Sequence, residues 1–291
     1  ADSQKVKASK EFQTFQFDHS FVLNSLKSSM EGYVFHNQPL DTDDLLEQTV
    51  KLFNSCKTSL ELFDMLHNMR AYDDSTYAHS LNVALICRRI GKWLKVDAAT
   101  LDTLTLCGLL HDIGKLKIPD EILNKPDKYT DEEFDLVKRH TKFGYELLKT
   151  LNIDPHIKKA ALLHHERCDG SGYPLKATQK DLDDFSMVVA IADVYDAMTA
   201  ARSYRAPLCP FQVIERFEQE GLQKYKPKFI LTFLQHIAST YQNNRVLLSN
   251  GQSANIVMLN QQHLARPIVQ LNDNSCIDLS TRLDLHIQSI L

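Results

Sequence analysis

His111-Asp112 is an adjacent imidazole–carboxylate pair, and His79, His140, His164-His165 and Asp193 flank it along the chain. Together they place five histidines and two aspartates between residues 79 and 193. Imidazole and carboxylate donors suit divalent Fe, Mn, Ni or Zn and need no thiolate. Seven such donors are enough for two ions. Two divalent ions about 3.5–4 Å apart can share an activated water and hold both oxygens of an in-line phosphoryl displacement. The expected chemistry is phosphoester hydrolysis. Asp112 is the candidate bridging carboxylate, with His79, His111 and Asp193 on one side and His140, His164 and His165 on the other. Asp196, one turn after Asp193, competes with it, and periodicity does not choose between them.

Helices must deliver these donors. His79, Val83, Ile86 and Ile90 fall at i, i+4, i+7 and i+11, which predicts a helix over about 75–94 with His79 on the apolar stripe. A second helix is expected to end near Ile113-Gly114, with Gly114 as its C-cap. Thr130-Asp-Glu-Glu133 reads as a capping box. The helix it opens would carry Phe134, Val137, Thr141 and Gly144 on one side, flanked by His140. Asp154-Pro155 starts a helix that reaches His164-His165. A last one over about 185–201 holds Asp193 and Asp196. Burying so many polar groups without partners would cost a few kcal/mol each, and a shared cation removes that cost.

The rest of the chain is less chemical. Residues 1–40 are polar with isolated Phe and show no sustained period, and helical patterning begins at Asp41. After about residue 240 the pattern changes to strands. Arg245–Leu248 and Ala254–Leu259 flank Asn250-Gly251 and read as a hairpin with a type I′ turn, and the segments at Pro267 and Cys276 form a second hairpin. Three regions are expected: an N-terminal extension (1–59), a helical catalytic domain (60–240) and a small β accessory module (241–291). The fold class is mainly α with a small C-terminal antiparallel β module. A net charge of −4 over 291 residues gives no reason to expect nucleic acid, and no stretch approaches the length of a membrane span. Six scattered cysteines and a start without an apolar leader core predict reduced thiols in a cytoplasmic protein.

His111-Asp112-Ile-Gly-Lys115 and His165-Glu-Arg-Cys-Asp-Gly-Ser-Gly-Tyr-Pro174 resemble the two defining motifs of the HD-GYP family. These are bacterial cyclic-di-GMP phosphodiesterases within the HD metal-hydrolase superfamily. Ala192–Met198 and Arg202-Ser-Tyr-Arg205 match later blocks, so the resemblance covers roughly residues 60–235. It implies an HD-type helical bundle whose metal ligands are His79, His111, Asp112, His140, His164, His165 and Asp193, which settles Asp193 over Asp196. Some members add a Glu one turn before the first His and bind a third ion. Ser75 stands there in this chain, so two ions are expected, Fe or Mn foremost. After Pro174 the chain continues Leu-Lys-Ala-Thr, where the family usually has further glycines.

Substrate groups follow from the same motifs. A hydroxide bridging the ions would attack phosphorus in line, with the ribose 3′ oxygen leaving. Asp112 and Lys115 are the catalytic candidates, Lys115 pairing with a non-bridging oxygen. Arg202 and Arg205 would grip phosphate or a guanine edge bidentately. Asp196 would bind a guanine donor or hold Arg202. Gly172, Tyr173 and Pro174 would shape a tight loop, with Tyr173 stacked on a base or capping the pocket. Glu166 is expected to orient a ligand histidine. The expected reaction takes cyclic di-GMP to pGpG and on to GMP. The alternatives are hydrolysis of 3′,3′-cyclic GMP-AMP and a catalytically silent cyclic-dinucleotide receptor. A mononucleotidase is a third reading, against which Asp169–Pro174 argues. The expected partners are a GGDEF-type or other signalling protein and a second copy of the chain, with neither nucleic acid nor membrane expected.

Overall fold

Helix α1 (Lys10–His36) opens the computed structural model, which describes residues 9–69, 75–200 and 207–291. Ser9 caps it by accepting the Phe12 N–H, and Phe12, Phe15, Val22, Leu23, Leu26 and Met30 are buried along it. This corrects the expectation of no sustained period before Asp41. The stripe is hidden in the sequence because His19 lies inside it, buried with Nε2 3.1 Å from Asn82 Oδ1, while Phe17 and Phe21 face outward.

Asp41 then caps α2 (Thr42–Ser55), followed by α3 (Ser59–Met69), α4 (Thr76–Trp93) and α5 (Ala98–Leu110). Helix α5 stops three residues before the expected end, and a 3-10 turn (Ile113–Lys117) follows it. After the short α6 (Asp120–Leu123), the Thr130–Glu133 capping box forms as read. The single helix expected from it divides at Arg139 into α7 (Asp131–Lys138) and α8 (His140–Leu148). Asp154 and Pro155 begin α9 (Pro155–Leu163). Helix α10 (Asp184–Thr199) is the axis of the domain. Its residues from Met187 to Ala192 are all buried, and it packs against α4, α5, α9, α11 (Pro210–Glu220) and α12 (Pro227–Thr240). A helix apolar all round belongs in a core, so Asp193 and Asp196 in its second half are buried too.

Five antiparallel strands complete the chain: β1 (Arg245–Leu248), β2 (Ser253–Met258), β3 (Ile268–Leu271), β4 (Cys276–Asp278) and β5 (Ile287–Ile290), ordered β4-β3-β2-β1-β5. The two expected hairpins are present, and β5 returns to pair with β1. The first turn differs in type. Gly251 takes φ 85° and Asn250 does not share its positive φ, whereas a type I′ turn needs both. Alternate strand residues Val246, Leu248, Ala254 and Ile256 face the core, and Arg266 reaches Glu215 on α11 at 2.9 Å. All six cysteines are free thiols. No helix among the described residues is long and apolar enough to cross a membrane.

Candidate metal centre

Each donor sits at a helix boundary or on the buried axis. His79 lies in the first turn of α4, His111 caps the C-terminus of α5 and Asp112 follows it. His140 opens α8, His164 caps α9 with His165 next, and Asp193 projects from α10. Helix ends let neighbouring residues leave the 100° helical spacing, so His111-Asp112 and His164-His165 can each converge. Gly114 closes the arrangement. A Cβ there would lie 1.9 Å from the His140 carbonyl oxygen and 2.4 Å from Gly144 N. Its role is close approach of two backbones, not the C-cap expected of it.

Two donor groups result, Asp112 with His140, His164 and His165, and His79 with His111 and Asp193, the donor atoms of each within 4.8 Å of one another. Asp112 joins them. Its Oδ2 is 3.3 Å from His111 Nε2 and 3.7 Å from His79 Nε2, while Oδ1 is 3.3 Å from His140 Nε2 and 3.5 Å from His164 Nε2. One carboxylate oxygen therefore faces each group, as a bridging ligand requires.

The hydrogen bonds behind the rings decide what the rings present. Nδ1 donates to Gly108 O in His111 (2.6 Å), to Val137 O in His140 (2.6 Å) and to Ala160 O in His164 (2.9 Å). A backbone carbonyl only accepts, so Nδ1 carries a proton in each ring, and in the neutral ring Nε2 carries the lone pair. His140 Nε2 and His164 Nε2 nevertheless face each other at 3.2 Å. His111 Nε2 and Asp112 Oδ1 are buried without a hydrogen bond of good geometry. Buried acceptors with no donor cost about 1–3 kcal/mol each. A divalent cation supplies what this set lacks, and the residues fit it.

Charge in the centre is unevenly held. Burial alone would depress His79, but the carboxylates of Asp193 (2.9 Å from Nε2) and Asp196 (2.7 Å from Nδ1) outweigh it and push its pKa up to about 9. Burial lowers His164 to about 4, and burial with the neighbouring His164 holds His165 well below the usual imidazole range. Burial would raise Asp112, yet Lys115 and His111 hold it well below the usual carboxylate range. In the metal-free protein, the His79 contribution to stability is complete below its ordinary 6.5 and is lost as pH rises through about 9. The His164 contribution is complete above 6.5 and is lost as pH falls through about 4. Thermal melts of chelator-treated protein should therefore peak near neutral pH. Divalent-ion uptake should release a proton from His79 and tighten as pH rises toward about 9. Uptake independent of pH across that range would remove His79 from the ligand set.

The remaining candidates divide. Lys115 Nζ lies 2.6 Å from Asp112 Oδ2, on the candidate bridge. Tyr173 stacks on His165, with ring centroids 4.7 Å apart and 22° between planes, and Gly172 crosses the backbone of residues 165–167. Pro174 is half-buried in the same loop. Asp196, expected on guanine or Arg202, is buried behind His79 and orients that ring. Periodicity leaves Asp193 and Asp196 as rivals because both point at His79, one at each nitrogen. Glu166, expected behind a histidine, instead accepts the N–H groups of Leu175 and Ala177. Ser75 caps α4 by accepting the Ala78 N–H. Arg202 and Arg205 lie outside the described residues.

The helical core thus gathers His and Asp donors at helix ends around one buried carboxylate. Residues 44–229 match the HD domain family model, and the chain belongs to that family. It is 34% identical to a 3′3′-cGAMP-specific phosphodiesterase (number 2) of Vibrio cholerae, over 62% of this chain and 35% of that protein. It is 32% identical to a cyclic di-GMP phosphodiesterase of Pseudomonas aeruginosa, over 71% of this chain and 50% of that one. A cyclic di-GMP phosphodiesterase of Thermotoga maritima is 35% identical over 60% of this chain and 48% of its own length. The chain thus spans about a third to a half of these curated relatives. Among solved structures, an HDG"Y"P protein from Bdellovibrio bacteriovorus shares the fold with TM-score 0.62 at 19% identity, over 77% of this chain and 71% of that one.

Proposed function

We propose that this chain is a phosphodiesterase that opens cyclic di-GMP to pGpG and carries it on to GMP, using two divalent ions held by His79, His111, Asp112, His140, His164, His165 and Asp193. The facing lone pairs of His140 and His164 across a carboxylate that also reaches His111 carry the reading. Bound there, two ions would activate a shared water and neutralise phosphoryl charge. Fe or Mn suits this nitrogen and oxygen set best, with Ni and Zn next. Ser75 supports two ions over three, because a serine capping its own helix replaces a carboxylate.

The chain's own groups do the rest. Backbone carbonyls hold three rings with Nε2 inward, and Asp196 holds His79. Lys115, partly exposed beside Asp112, is positioned to meet a non-bridging phosphoryl oxygen. Tyr173, seated on His165 by Gly172 and Pro174, caps that side of the centre, and Arg202 and Arg205 grip the substrate's phosphate or guanine edge. Residues 60–240 form the catalytic unit and 241–291 an accessory module, and free thiols suit a cytoplasmic location. Hydrolysis of 3′,3′-cyclic GMP-AMP is the second reading, favoured by the similarity to a phosphodiesterase named for that substrate. Anaerobic product analysis with Mn(II) and each dinucleotide separates them. Linear products from cyclic di-GMP at the higher kcat/KM are expected. Faster opening of cyclic GMP-AMP would exchange the two readings, and tight binding of both without turnover would make the chain a receptor.

A further inference from the structure

Glu166 follows a metal-ligand candidate in sequence, yet its buried carboxylate reaches forward. Oε1 accepts from Leu175 N at 2.5 Å and Oε2 from Ala177 N at 3.0 Å. A buried carboxylate is tolerated only where donors satisfy it, and N–H bonds to a charged acceptor are stronger than neutral ones. The two amides flank Lys176, whose φ is 54°. That left-handed conformation disfavours a side chain bearing a Cβ, so something must hold it. The base of the loop is closed separately, by Gln179 N on Cys168 O (3.1 Å) and a bridge between Asp169 and Thr178. Its middle is fixed at two places, where Gly172 crosses residues 165–167 and where Glu166 takes its two amides. Between these lies Tyr173, whose N–H donates to His165 O at 3.2 Å and whose ring covers His165.

We infer that Glu166 is a positioning residue: it clasps residues 175–177 from below, holds Lys176 in its strained conformation, and so keeps Tyr173 seated over His165 where the substrate meets the centre. The substrate part rests on the phosphodiesterase reading; the clasp does not. A glutamine is the same size, but it offers one acceptor oxygen and sets an NH2 against the second amide, so it cannot hold both.

The test measures backbone hydrogen exchange over residues 174–178, metal content and cyclic di-GMP kinetics on the full chain. Glu166→Gln should accelerate exchange at Leu175 and Ala177 about tenfold, the factor that loss of one charge-assisted hydrogen bond produces. KM should rise by about the same factor, with metal content as in the unaltered protein, since His165 remains. Adding Lys176→Gly to Glu166→Gln removes the strained side chain, and should recover part of both the protection and the KM. Unchanged exchange at the two amides would overturn the clasp. Loss of metal with Glu166→Gln would overturn it too, placing Glu166 on the metal instead. Absence of turnover by the unaltered protein would sink the phosphodiesterase reading, while the exchange measurement would still decide the clasp.

Discussion

Asp112→Ala should abolish cyclic-dinucleotide hydrolysis, lowering turnover by about 10³-fold or more, and should strip most of the bound metal. Its two oxygens lie 3.3 Å from His111 Nε2 and 3.3 Å from His140 Nε2, one in each donor group, whereas Asp193 crosses between the groups only at 3.8 Å, to His165 Nδ1. Removing it separates two three-donor sets and leaves Lys115 without its 2.6 Å partner beside the metal positions. The surrounding helices lose little apolar burial, so the variant should still fold and melt cooperatively. Metal analysis and anaerobic turnover on the same preparation check this. Near-normal turnover would remove Asp112 from the bridging role.

Gly114→Ala is the larger effect on the fold. The added carbon would meet the His140 carbonyl oxygen at 1.9 Å and Gly144 N at 2.4 Å. Both neighbours are backbone, so no rotamer change relieves the contact. Either the Ile113–Lys117 turn or the start of α8 must move by about 1 Å, and overpacking of this kind costs about 1–3 kcal/mol. For a chain of this size that corresponds to a Tm about 2–5 °C lower. The shift moves His140 relative to Asp112, and a displacement of about 1 Å in such a constellation costs about 10²-fold in rate. Melting curves and kcat measured side by side test it. A variant with unchanged Tm and full turnover would contradict the tight contact between the turn and α8.

Much of the centre is legible in the order of the residues alone. The stripe from His79 to Ile90, the Thr130 capping box and the Asp154-Pro155 helix start all follow local rules, and all three position donors. The grouping of donors around Asp112 follows from which helices can bring them together. What spacing does not reveal has non-local causes. Glu166 makes its bonds nine and eleven residues downstream because the loop folds back under itself. Gly114 looks like a helix stop, while its requirement comes from α8. Helix α1 is obscured by one buried histidine and two outward phenylalanines. Strand β5 is four residues long and pairs with β1 some forty residues earlier, so no turn announces it.

Asp112 and five histidines, completed by Asp193, are expected to build a two-ion centre. Counting divalent ions per chain after anaerobic loading with Fe(II) or Mn(II) tests it most directly. Two ions are expected, with the count falling below one when Asp112 is replaced by Ala. A count of zero under every loading condition, or two ions retained without Asp112, would contradict it.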